Sequence, residues 1–73
     1  MQINIRKLKG KMAENDMTAT KLASKIGVNR TTFYRKLSSG GGSFTVEELQ
    51  NIVEALNMTP NEAMNIFFGT SVA

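Results

Sequence analysis

The sequence predicts an all-α fold of five short helices, and three observations predict it. Apolar residues recur at the helical period of 3.6, and nowhere does an apolar–polar alternation suggest a strand. Helix-start signatures stand at Thr18, Asn29, Thr45 and Thr59, each just ahead of a periodic apolar stretch. Helix-stop signatures (Asn15-Asp16, Gly27, Gly40-Gly41-Gly42, Asn57, Gly69) alternate with them. The reading is one domain over residues 1–73, with helices at about 3–14, 18–26, 30–37, 46–56 and 60–68.

The first helix takes Ile5, Leu8 and Met12 as its buried stripe, and Gly10 within it costs about 1 kcal/mol against alanine. Thr18 caps the second, where Met17 and Leu22 have the spacing of a hydrophobic staple. Gly27 ends it in the left-handed conformation, and only Val28 intervenes before Asn29 caps the third. After the glycines, Thr45-Val46-Glu47-Glu48 is a capping box, stapled by Phe44 and Leu49, and the fourth helix buries Leu49, Ile52, Val53 and Leu56. Thr59-Pro60-Asn61-Glu62 is a second capping box, with proline where its missing N–H does no harm. The fifth helix carries Ala63, Met64 and Phe67 inward, with Phe68 as a further candidate.

Composition narrows the function. With 73 residues the chain buries only about 60% of its unfolded surface, so it is marginal in stability unless helical or oligomeric. It has no cysteine and no histidine, which removes disulfides, thiolate nucleophiles and the commonest general base and metal ligand. No catalytic residues, metal site, cofactor or small-molecule ligand is expected. No apolar run is long enough to span a membrane and no signal peptide opens the chain, so the expectation is a soluble, cytoplasmic protein. The lack of a linker after Gly69 points to a complete chain. The formal charge of +3 hides an asymmetry. All nine basic residues lie within the first 36 positions, so residues 1–38 carry +7 and residues 39–73 carry −4. A +7 half suits a polyanion.

The middle of the chain, TATKLASKIGVNRTTFYRKL, narrows it further. Ala23 supplies a small residue where two helices cross, Gly27 makes the bend four residues later, and Val28 and Phe33 supply bulk beyond it. Leu22, Ile26 and Leu37 complete the seam that a steeply crossed helix pair with a short turn requires. This pattern resembles the helix-turn-helix of the phage repressor and Cro family, the XRE type. The resemblance covers nearly the whole chain. It implies a lambda-repressor-like DNA-binding domain with the motif at helices 2 and 3.

On a helical wheel Phe33 and Leu37 face inward, while Thr31, Tyr34, Arg35 and Ser38 share the opposite face with Arg30 beside them. The resemblance places the third helix in the major groove and makes Arg30, Thr31, Tyr34 and Arg35 the base readers. An arginine suits guanine O6 and N7, a threonine a base edge or the thymine methyl, and a tyrosine thymine or a phosphate. Arg30 and Arg35 are equally suited to phosphate. Thr18, Thr20, Asn29, Thr32, Lys36, Ser38, Ser39 and Ser43 are the expected phosphate contacts. Ala19 and Thr20 stand where family members often carry a glutamine that braces the recognition helix, so that brace is missing or weakened here.

The glycine run lacks the lysine and Ser/Thr of a P-loop. It reads either as a slack connector or as a segment that approaches the phosphates closely and orders on contact. Arg6, Lys7, Lys9 and Lys11 read either as phosphate contacts or as a solvated face. The resemblance also implies a two-fold dimer on a pseudo-palindromic site, for which Phe67, Phe68 and Val72 are the expected interface. Two functions follow. One is a sequence-specific, double-stranded-DNA-binding transcription regulator of phage or mobile-element type, repressor- or Cro-like. The other is a helix-turn-helix-derived protein-interaction module, antirepressor- or antitoxin-like.

Overall fold

A computed structural model describes residues 3–68 and contains five helices and no strand among them. They are α1 (Ile5–Glu14), α2 (Ala19–Ile26), α3 (Arg30–Ser38), α4 (Val46–Ala55) and α5 (Pro60–Phe67). The all-α, five-helix expectation therefore holds, and the bounds differ from the expected ones by a residue or two. The largest difference is at the front, where Asn4 is not helical. It caps α1, its side chain accepting the Lys7 N–H at 3.1 Å, and Ile3 lies outside the helix.

One local grammar builds every helix. Asn4, Thr18, Asn29, Thr45 and Thr59 each accept the N–H three residues on. Each cap sits between two apolar residues with staple spacing, namely Ile3 and Leu8, Met17 and Leu22, Val28 and Phe33, Phe44 and Leu49, Met58 and Ala63. All ten are buried in the core or packed against it. Four exits are also alike. Asp16, Gly27, Gly40 and Asn57 take positive φ of 52°, 83°, 85° and 53°. The next residue's N–H then donates to the carbonyl five back, as from Met17 to Met12 at 2.8 Å and from Gly41 to Lys36 at 2.8 Å. These paired bonds satisfy the last carbonyls that a helix otherwise leaves open.

α2 packs on both α3 and α4, and α1 packs on α5. Leu8, Leu22, Phe33, Ile52 and Leu56 are sealed at the centre, each contributing about 1.5–3 kcal/mol by leaving water. Asn15 joins two helix ends, donating Nδ2 to the Lys11 carbonyl and to the Leu56 carbonyl at 3.0 Å each. Its Oδ1 accepts from Asn57.

Of the residues expected inward on α5, Ala63 and Phe67 are so placed, and Met64 and Phe68 are not. Met64 is half exposed, and α5 buries Ile66 and Phe67 with Ala63 partly buried, so its inward stripe is 63, 66 and 67. Phe67, expected at a dimer interface, is 2% exposed and belongs to the core. What remains of its surface lines a cleft between the start of α4 and the end of α5. Val72 lies outside the described residues.

Candidate nucleic-acid interface

The turn between α2 and α3 sets the interface. Gly27 reverses the chain in the left-handed conformation, Val28 donates its N–H to the Ala23 carbonyl at 3.0 Å, and Asn29 starts α3 by accepting the Thr32 N–H at 2.7 Å. Ala23 and Ile26 are buried and Val28 is half-buried, so the turn is pinned to the core. A residue larger than alanine at 23 would push α2 off its neighbours.

With Phe33 sealed and Leu37 packed against the core, the outer face of α3 is fixed in rotation. Arg30, Thr31, Tyr34, Arg35 and Ser38 are all exposed. No ion pair or side-chain hydrogen bond among the described residues engages any of them, and the Tyr34 ring leans edge-on against Phe33 with centroids 6.4 Å apart. The face thus offers two guanidiniums, two hydroxyls and a phenol with no internal partner. Residues 18–39 contain five basic and no acidic residues, and Lys21 and Lys25 extend the exposed charge along α2.

The expected phosphate contacts divide into two groups. Thr18 accepts the Lys21 N–H, which leaves its hydroxyl proton to give, and Thr20, Ser38 and Ser43 are exposed. Asn29 has its Oδ1 committed to the cap but not its amide N–H groups, and Thr32 is half-buried beside it. Lys36 and Ser39 do not fit the expectation. The Lys36 ammonium donates to Glu48 at 2.7 Å, lies 5.6 Å from the centre of the Phe44 ring, and is mostly buried. It ties α3 to α4 and is not free for a phosphate. The Ser39 hydroxyl donates to the Lys36 carbonyl at 2.9 Å, so its proton is already committed.

Glu48 is the hinge of that corner. Its carboxylate also accepts the Thr45 N–H at 2.9 Å, completing the capping box. Burial pushes this carboxyl up, but the Lys36 ammonium and the Thr45 N–H outweigh it and hold it below its ordinary value of 4.5. Sequence reasoning assigned Glu48 to the cap and could not see Lys36 arriving from α3.

The glycine loop also departs from expectation, because it is not slack. Its first two glycines continue the exit from α3, Gly41 is buried, and Phe44 donates to the Gly41 carbonyl at 3.3 Å. The N–H groups of Gly42 and Ser43, by contrast, find no acceptor among the described residues, and both residues are exposed.

Residues 7–68 match the family model described as the Cro/C1-type helix-turn-helix DNA-binding domain. The chain belongs to that family. The match runs from the first helix to the end of the fifth, so it includes both helices of the motif and the helices that brace them. Comparison with curated proteins and with solved structures returned no match. As a Cro/C1-type domain, the chain is a DNA-binding regulator whose partner is double-stranded DNA. No helix among the described residues is long and apolar enough to cross a membrane, and no group of three or more acidic, histidine or cysteine side chains there could hold a metal ion.

Proposed function

We infer that this chain is a sequence-specific transcription regulator of the phage or mobile-element type, repressor- or Cro-like, with α3 lying in the major groove. The observation that carries the reading is the outer face of α3, where Arg30, Thr31, Tyr34 and Arg35 stand exposed with their polar groups uncommitted. Such groups on a helix rotationally locked by Phe33 are preorganised for base edges, since no internal bond has to break first. Thr18, Thr20, Lys21, Lys25, Ser38 and Ser43 anchor the phosphates on either side. Arg6, Lys7 and Lys9 remain as solvated charge on α1. The protein acts in the cytoplasm as a binder, not an enzyme.

The dimer contact keeps Phe68 from the expected set and gains Val46 beside it. Phe68 and Val46 are 55% and 73% exposed. They border a cleft of about 290 Å³ lined almost wholly by apolar atoms, between the start of α4 and the end of α5. A second copy seated there makes a two-fold dimer able to read both halves of a pseudo-palindrome. The same cleft favours the second reading, an antirepressor- or antitoxin-like module that docks on another protein.

Selection of bound duplexes from a random DNA pool, followed by affinity against salt, tests the reading. The expected result is an enriched inverted repeat, with half-site centres about 34 Å apart and a steep salt slope. Salt-sensitive binding without enrichment would reduce the protein to an electrostatic DNA coater. Absence of binding at low salt would sink the DNA reading in favour of a protein partner.

A further inference from the structure

Three consecutive glycines after a recognition helix are the composition of a flexible linker, yet the segment is held from outside its own sequence. The Ile3 N–H donates to the Gly40 carbonyl at 2.8 Å, and the Asn4 N–H donates to the Ile66 carbonyl at 2.7 Å. Residues 3 and 4 therefore clasp the exit of α3 to the end of α5. The Ile3 side chain, 3% exposed, sits directly on Gly41. A Cβ on Gly41 would lie 2.7 Å from Ile3 Cγ1 and 2.9 Å from Ile3 Cβ, and the φ of +80° already disfavours any side chain there. Only glycine admits this close approach. One residue beyond the seat come the exposed Gly42 and Ser43, with two free N–H groups and the Ser43 hydroxyl.

We propose that Ile3 is a positioning residue for DNA binding. Seated on Gly41 and holding the Gly40 carbonyl, it presents the Gly42 and Ser43 N–H groups to a backbone phosphate at the end of α3. The inference rests on the DNA-binding reading above. Its physical basis is preorganisation. A loop of three unrestrained glycines would lose its conformational freedom at the moment of binding, and that loss would be charged against affinity. The clasp removes the freedom when the chain folds. Nothing in the recognition helix itself does this, because the paired bonds that close α3 end at Gly41.

The experiment compares wild type with Ile3→Ala, Ile3→Val and Met12→Ala. Met12 is buried in α1 and serves as a core control. Affinity is measured on the duplex selected by the wild type and on an unrelated duplex of equal length. Circular dichroism sets a temperature at which every variant is folded. Ile3→Ala is expected to bind the selected duplex about tenfold more weakly, with a salt slope shallower by about 0.9, the share of one phosphate. Met12→Ala should melt earlier but keep the wild-type affinity and slope, and Ile3→Val should shift both readouts in the same direction as Ile3→Ala by a smaller amount. If Ile3→Ala does not fold, Ile3→Val carries the test through a smaller change of the same sign in both readouts. Wild-type affinity and slope in folded Ile3→Ala overturns the proposal, because Ile3 is then only a core residue. An equal loss in Met12→Ala overturns it too, because loosening of the whole fold would explain both. Failure of the wild type to bind any duplex appears before a variant is made, and removes the DNA reading and this inference together.

Discussion

Among the five basic residues of the motif region, neighbours differ sharply in what they can do. Arg35 is exposed and uncommitted, whereas Lys36 is paired with Glu48 beneath it. Arg35→Ala or Arg30→Ala is expected to leave the melting temperature nearly unchanged, since exposed substitutions typically stay within about 0.5 kcal/mol. Each should weaken binding to the selected duplex by about 1–3 kcal/mol, with specificity relaxed at one position if the guanidinium reads a base. Lys36→Ala should do the reverse. It leaves the Glu48 carboxylate without its ammonium in a mostly buried corner and lowers stability by about 1–2 kcal/mol, while the salt slope of DNA binding stays put. Melting curves and salt titrations on the same three variants separate the roles. A shallower slope in Lys36→Ala would return that lysine to the phosphate set. The sequence places all three residues on α3 but says nothing of which cation is already answered, because Glu48 lies in another helix.

Helix ends decide much at the next scale. Two exits take the left-handed conformation without glycine, at Asp16 and Asn57. Asp16→Gly removes a Cβ from that conformation and is expected to raise stability by about 0.5–1 kcal/mol in chemical denaturation. Gly27→Ala, with a φ of +83° and open space around the new methyl, should lower it by about 1 kcal/mol through backbone strain alone. The entrances respond to acid. The Glu62 carboxyl is held below 4.5 by the Thr59 N–H first and by Lys11 second, and Glu48 is likewise lowered. In the unfolded chain both carboxyls return to the ordinary value. Their contribution is therefore complete above about pH 4.5 and is lost as pH falls through the lowered native values. Melts at about pH 6 and about pH 3 should show the loss, and Glu48→Gln should flatten part of it. An unchanged pH profile in Glu48→Gln would remove that carboxylate from the acid response. Both capping boxes and the Gly27 exit are legible because a cap and its partner lie within four residues. The Asn4 cap was readable by the same rule, since Ile3 and Leu8 repeat the staple spacing found at Met17 and Leu22.

For the whole molecule, the charge split along the sequence is partly healed by the fold. Lys11 reaches Glu62 at 2.9 Å across 51 positions and Lys36 reaches Glu48 across 12, so the acidic half neutralises the basic half at two joints. What stays exposed on α2 and α3 is cationic, and what stays exposed at the end of α5 includes an aromatic ring. Phe67→Ala should lower stability by about 3–5 kcal/mol, a large share of what a small domain has. Phe68→Ser should leave the melting temperature close to wild type and weaken self-association in sedimentation equilibrium. Unchanged self-association in Phe68→Ser would move the dimer contact elsewhere.

The sequence by itself determined the helix count, the caps, the motif turn and the face that α3 turns outward. Each follows from backbone preferences and apolar spacing within one or two helical turns. Only the tertiary structure decided that Ile66 is core while Met64 and Phe68 are surface, because successive residues on a helix point about 100° apart and an eight-residue helix leaves its rotation open. It alone brought Lys36 to Glu48 and Ile3 to Gly41. Those contacts depend on where separate helices come to rest, and close packing of the shared core sets that position.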